Sequence, residues 1–186
     1  MISTNDIKPG MALDLDDGVF QIVEYQHVKP GKGKAFVRTR LKNLQTGAVV
    51  DRTFRADEPV KQAVIDRRDH QFLYQDDLGF HFMDGETYTQ MTLTADQVGQ
   101  AAEFLVEGST ALLGIYEGRP ITIDLSASVE LEVVAAEPGV KGDRVSGATK
   151  PVTVETGLVV QVPLFVDKGD RIKVDTRTGT YITRVS

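Results

Sequence analysis

HVKPGKGKAFVRTRLK, residues 27–42, holds six basic side chains and no acidic one. Its second half alternates. Ala35, Val37, Thr39 and Leu41 fall on one face of an extended chain, and Phe36, Arg38, Arg40 and Lys42 on the other, which is the period-two pattern of a half-buried antiparallel strand. The preceding run, Val19 to Val28, is rich in Val, Ile, Phe and Tyr and reads as its partner strand. Between them, Pro30-Gly31-Lys32-Gly33 removes one backbone donor and sets glycine on both sides of a lysine, so positive φ is open to the backbone there. The stretch is a cationic β-hairpin with Lys32 as its most protruding charge. Three cations in a row on the outward face suit a polyanionic partner, while the competing account is that lysines blunt an exposed sheet edge. A phosphate-cradling P-loop is excluded. The pattern GxxxxGK[ST] would need glycine at position 28 and Ser or Thr at 35, where Val28 and Ala35 stand.

Outside the hairpin the chain is acidic. Its 186 residues carry a formal net charge of −6, so the hairpin's charge does not reflect general basic composition. Residues 1–64 hold 10 basic against 8 acidic side chains, residues 65–126 hold 3 against 11, and residues 127–186 hold 8 of each. Exposed charges are screened beyond roughly 8 Å at physiological salt, so basic patches at either end can still meet nucleic acid. The acidic middle opposes unselective wrapping of RNA or DNA. A structured polyanion met at a few points fits the pattern better. The absence of cysteine excludes a disulfide framework and thiolate chemistry. The start MISTNDIKPG lacks the cationic and apolar regions of a signal peptide, and no run of about 18 apolar residues occurs. A soluble, cytoplasmic protein with no membrane contact is expected.

Short strands with turn signals every eight to twelve residues indicate small barrels or sandwiches, and the length allows two or three. Residues 1–64 fit an SH3-like (KOW-like) barrel bearing the basic hairpin. Residues 65–126 form an acidic OB-type unit in which Phe72 and Tyr74 answer Phe80 and Phe82 across the turn Asp76–Gly79 as core partners. One short helix is predicted there. Thr94 followed by Gln97 makes a capping box, Val98, Ala101, Ala102 and Leu105 repeat at helical spacing, and Gly108 ends the helix. Residues 127–186, with the apolar strand Leu158 to Phe165 and the tight turns Lys168-Gly169-Asp170 and Arg177-Thr178-Gly179, read as a second OB-type barrel. The fold class is thus mainly all-β, three small β-barrels in tandem.

No catalytic constellation emerges. His27, His70 and His81 show neither HxH nor HExxH spacing, so no metal site is expected. His81, between Phe80 and Phe82 on the opposite strand face, reads as a surface histidine. The pairs Asp16-Asp17 and Asp76-Asp77 lie in turns, where aspartate is favoured for local hydrogen bonding. The serines lack a nucleophile-elbow context. Neither an enzyme nor a cofactor is expected.

The segment HVKPGKGKAFVRTRLKNLQTG, the barrel order and the run GDRVSGATKPVTVETGLVVQVPLFVDKGDRIKVDTRTGTY resemble the bacterial elongation factor P family from end to end. The first two barrels are also similar to the hypusine-containing translation factor of eukaryotes and archaea. The resemblance implies a ribosome-binding elongation factor, monomeric and without an active site. It would enter between the peptidyl and exit tRNA sites, lie along the peptidyl-tRNA, and relieve stalling at consecutive prolines by stimulating peptide bond formation. Lys32 then matches the family's tip lysine, which reaches the CCA end of the peptidyl-tRNA and in many members carries a post-translational extension, so a lysine-modifying enzyme is a further implied partner. Pro30, Gly31 and Gly33 would support that tip. Lys29, Lys34, Arg38, Arg40 and Lys42 would touch tRNA or ribosomal RNA phosphates, setting register rather than reading bases. In the third barrel the resemblance places Gly142, Asp143, Arg144, Ser146 and Gly147, with Lys150 and Arg177, toward the small subunit. The alternative is a generic RNA-binding module of SH3-like and OB barrels acting in RNA metabolism or transcription, since a fold does not fix a function.

Overall fold

A computed structural model describes residues 1–138 and 147–185, and the protein is mainly β with one short helix. The first sheet comprises β1 (Ile2–Ser3), β2 (Ala12–Leu15), β3 (Gly18–Val28), β4 (Phe36–Asn43), β5 (Val49–Arg55) and β6 (Pro59–Ala63) in the order β1-β6-β2-β3-β4-β5. The alternation of the hairpin strand is realised: Val37, Thr39 and Leu41 are buried, whereas Arg38, Arg40 and Lys42 are exposed. Ile7, Leu13, Phe20, Ile22, Val37, Leu41, Phe54 and Val60 make the core beneath it.

The second sheet holds β7 (Asp66–Asp76), β8 (Gly79–Asp84), β9 (Gln90–Leu93), β10 (Thr110–Tyr116) and β11 (Arg119–Leu125) in the order β11-β10-β7-β8-β9. The third holds β12 (Ser128–Ala136), β13 (Thr149–Val154), β14 (Val159–Pro163), β15 (Arg171–Asp175) and β16 (Tyr181–Val185) in the order β14-β13-β12-β15-β16. SH3-like and OB-type architecture accounts for all three. By proximity the chain gathers into two compact units, Met1–Arg67 with Gly114–Thr122 and Arg68–Leu113 with Ile123–Ser186. In the first unit, Tyr116 and Ile121 pack with Ala12, Val19 and Ala63, and the Tyr116 hydroxyl donates to Asp14 Oδ2 at 2.9 Å. Burial raises the pKa of that phenol, and the carboxylate beside it adds to the shift. In the second unit, Phe104 is buried in the core of the third sheet with Leu131, Val133, Val152, Val160, Ile172 and Val174.

Three local expectations need correction. The capping box forms, with Thr94 Oγ1 accepting from Gln97 N–H at 3.2 Å and Gln97 Oε1 from Thr94 N–H at 2.8 Å, but α1 spans only Ala95–Val98. The chain then tightens into a 3-10 turn over Gly99–Glu103, ending well before Gly108. Gly99 at φ 58 stops the α-helical run early. Tyr74 is 43 % exposed and is no core residue; Phe72 alone meets Phe80 and Phe82, with centroids at 5.8 and 5.4 Å. His81 is not on the surface.

The last two corrections share one cause. A register shift between Phe72 and Tyr74 leaves Leu73 as a bulge, so Tyr74 pairs with His81. On the other flank of β8, His81 pairs with Thr92. The imidazole is consequently only 8 % exposed, covered by the Tyr74 ring at 4.5 Å, with Thr92 Oγ1 at 2.9 Å from Nδ1 and Asp76 Oδ1 at 2.7 Å from Nε2. The histidine hydrogen bond, followed by the Leu78 N–H, holds the Asp76 carboxyl below its usual range against an opposing desolvation effect. At the neighbouring Gly79, φ is +134 and an added Cβ would lie 2.3 Å from the Leu93 carbonyl oxygen. Only glycine fits that close approach of strands.

Candidate nucleic-acid interface

The finger is built from β3 and β4, whose pairing runs from Phe20–Asn43 out to Val28–Phe36. A bulge between Ile22 and Glu24 pushes Val23 outward to 42 % exposure. Strand β5 braces the other flank of β4 along its length, from Lys42–Val49 to Phe36–Arg55. Beyond Phe36 only the loop of residues 29–35 remains, and Lys32 is its midpoint. Lys29, Pro30, Gly31, Lys32, Gly33 and Lys34 are all exposed. Of the two glycines beside Lys32, only Gly33 uses the left-handed region, at φ +104. Around Gly31 a Cβ would meet open space, so its smallness keeps the tip slim rather than relieving a clash.

Cross-strand register sorts the outward cations. Arg40 sits between Glu24 and Asp51, 3.7 and 3.3 Å away. Arg38 lies between the neutral Gln26 and Thr53, with its guanidinium carbon 5.9 Å from the centroid of the Phe36 ring. Lys42 lies between Gln21 and Val49. Among the described residues, Lys29, Lys32, Lys34, Arg38 and Lys42 make no ion pair. A broad depression of about 800 Å³ on this sheet is lined by Glu24, Gln26, Arg38, Arg40, Asp51 and Thr53, among others. Sequence reading ranked the three strand cations alike and overlooked Glu24 and Asp51. A usable signal existed, because counting outward symmetrically from Lys32 sets Glu24 opposite Arg40. Nearby, Arg52 is engaged on the inner side of the sheet, 2.7 Å from Asp17, and that hydrogen bond lowers the pKa of the carboxyl.

The third-sheet candidates scatter. Gly142, Asp143, Arg144 and Ser146 lie outside the described residues. Gly147 is exposed in a turn at φ +86. Arg177 is exposed in the β15–β16 turn, where its backbone N–H and that of Thr178 donate to Asp175 Oδ1 at 2.7 and 3.2 Å. The Arg177 N–H contributes most to holding the Asp175 carboxyl below its ordinary range. Lys150 departs from expectation: only 7 % exposed, it turns Nζ inward to the Glu137 carbonyl at 2.8 Å and to Asp167 Oδ1 at 3.3 Å. Its ammonium is held within the third sheet by these two contacts.

Sequence profiles of three domains match the chain in succession: the elongation factor P KOW-like domain over residues 3–60, the elongation factor P OB domain over 65–123, and the elongation factor P C-terminal domain over 129–184. The chain belongs to the elongation factor P family. It is 55 % identical over 184 residues to Elongation factor P of Symbiobacterium thermophilum, covering 99 % of this chain and 100 % of that one. To Elongation factor P of Pelotomaculum thermopropionicum it is 51 % identical over 185 residues, with full coverage of both. The elongation factor P family consists of translation factors that work with the ribosome, not enzymes. Among solved structures, eukaryotic translation initiation factor 5A from Methanococcus jannaschii superposes with a TM-score of 0.53 at 21 % identity, covering 66 % of this chain and 92 % of that one. A protein of the same initiation factor family from Naegleria fowleri gives 0.54 at 15 %, covering 67 % and 96 %. These two likenesses concern the fold. Among the described residues no helix is long and apolar enough to cross a membrane.

Proposed function

We propose that this protein acts in the cytoplasm as a monomer, entering the ribosome between the peptidyl and exit tRNA sites and stimulating peptide bond formation where consecutive prolines stall it. In this reading residues 1–64 present the tip to the peptidyl-tRNA, residues 127–186 face the small subunit, and residues 65–126 join them. The observation that carries it is Lys32, exposed and without an ionic partner among the described residues, at the midpoint of a loop mounted on a three-stranded ribbon. A tRNA terminus is single-stranded and polyanionic, so a slim tip can approach where a bulky loop would clash. Proline is a hindered nucleophile. Holding the peptidyl-tRNA end in attack geometry lowers the barrier entropically, and each ~1.4 kcal/mol so gained is about tenfold in rate. Lys32 acts by position and charge, without transferring a proton. An enzyme that extends lysine side chains would find its Nζ accessible.

The reading is tested by adding the protein to reconstituted translation of two messages, one encoding Pro-Pro-Pro and one without proline runs. Relief of stalling on the first alone is expected. No relief, together with tight binding to free single-stranded RNA, would instead favour a general RNA-binding module.

Behind the tip, the cations should contribute unequally. Among the described residues Arg38 and Lys42 have no carboxylate to leave, whereas Arg40 must exchange Glu24 and Asp51 for a phosphate. Arg38→Ala and Lys42→Ala are each expected to raise the half-saturating concentration on ribosomes roughly tenfold, the scale of one charge-assisted hydrogen bond. Arg40→Ala should raise it by only about two- to threefold, since an exposed pair already satisfies it. Titrating each variant into the Pro-Pro-Pro assay at fixed salt gives the order, and an Arg40 effect larger than that of Arg38 would contradict this ranking.

A further inference from the structure

The loop bearing Lys32 leaves the sheet at Ala35 and Phe36, and what holds that exit lies far away in sequence. Arg55, the last residue of β5, pairs with Phe36. Just past it, the Ala56 N–H donates to the Ala35 carbonyl at 3.2 Å, the outermost backbone bond between the tip loop and the β5–β6 turn among the described residues. That turn holds Asp57 at φ 66, a left-handed conformation that costs a non-glycine residue free energy and persists only where its surroundings impose it.

The N-terminal segment imposes it. Thr4 is 1 % exposed; its Oγ1 donates to the Arg55 carbonyl at 2.7 Å and its N–H to the Glu58 carbonyl at 3.0 Å. The Asn5 amide donates to Asp57 Oδ1. Inside the turn, Glu58 Oε2 accepts from the Arg55 N–H at 3.0 Å and the Glu58 N–H reaches the Arg55 carbonyl at 3.2 Å. The Arg55 carbonyl is therefore shared between the turn's own closing bond and a buried hydroxyl 51 positions earlier. We infer that Thr4 is a positioning residue for Lys32: by holding the Arg55–Glu58 turn, it fixes the backbone from which the lysine loop springs.

This inference rests on the proposed role of the tip, and it predicts a division between rate and docking. Thr4 touches no surface a ribosome could meet, so its loss leaves the docking cations in place and disorders only the tip. Thr4→Val keeps the shape and removes the hydroxyl. It is expected to lower the maximal rate of Pro-Pro-Pro synthesis about tenfold, with the half-saturating concentration shifted less than about twofold. In the free protein, amide hydrogen exchange at Ala56 should accelerate about tenfold, as loss of one buried hydrogen bond would give. Thr4→Ser should restore both. Asn5→Ala, which removes an exposed N-terminal side chain bonded to the same turn, is a second probe that spares the core and should show the same division more weakly. Unchanged exchange in both variants, or faster exchange at full maximal rate, would overturn the inference. Lys32→Ala in the same assay separates the two ideas: if it retains full stimulation the tip reading itself fails, while the exchange data still decide whether Thr4 holds the turn.

Discussion

Replacing Lys32 with alanine should reduce stimulation of Pro-Pro-Pro synthesis by one to two orders of magnitude, about 1.4–2.8 kcal/mol of lost transition-state stabilisation. The thermal midpoint should stay where it is. Lys32 is exposed, at the midpoint of a loop, with no ionic partner among the described residues, and surface substitutions away from special features stay within about 0.5 kcal/mol. Its neighbours Lys29 and Lys34 keep the loop cationic, so a smaller loss would mean that the tip works by diffuse charge. Lys32→Arg distinguishes these accounts, because it keeps the charge while replacing a compact ammonium with a planar fork. Under a positioning mechanism the arginine variant remains well below wild type. The measurement is single-turnover tripeptide formation on stalled ribosomes alongside a melting curve, and an alanine variant as active as wild type rejects the tip mechanism.

Phe82→Ala should be the most destabilising of the substitutions considered, at about 3–5 kcal/mol. Among the described residues Phe82 is the largest side chain that is fully buried. It lies on β8, flanked by β7 and β9, paired with Phe72 and Met91. Truncation removes both the buried ring and its aromatic contact with Phe72, and the strands on either side restrain collapse of the cavity. With roughly 2–4 °C lost per kcal/mol in a chain of this length, a fall in melting temperature of about 6–20 °C is expected. Phe82→Leu, which keeps most of the volume, should cost under about 1.5 kcal/mol. Denaturant unfolding followed by amide exchange would show the loss centred on the unit containing residues 68–113, and a fall of only a degree or two would mean the site repacks. Below the new melting temperature, stimulation by the tip should persist.

How much was legible in advance can be judged residue by residue. The inward set Val37, Thr39 and Leu41 and the outward set Arg38, Arg40 and Lys42 follow from a strand's period of two, and the structure keeps both. The Thr94–Gln97 capping box is equally local and equally realised. His81 was placed on the correct strand face but misjudged in exposure, because the bulge at Leu73 that brings Tyr74 over it has no sequence marker. Lys150 reads as a surface cation in any sequence, and only the return of Asp167 and the Glu137 carbonyl to its position makes an inward ammonium favourable.

By itself, the order of residues determined what depends on near neighbours: the strand pattern, a glycine-lined apex centred on one lysine, a capped helical turn, and enough charge asymmetry to mark one end for a polyanion. Which of the cations are unpaired, which histidine is covered, and which buried hydroxyl steadies the lysine loop were decided only in three dimensions. Burial and ion pairing are set by register and by segments that meet across dozens of positions, as Thr4 meets Arg55, and no local pattern carries that information.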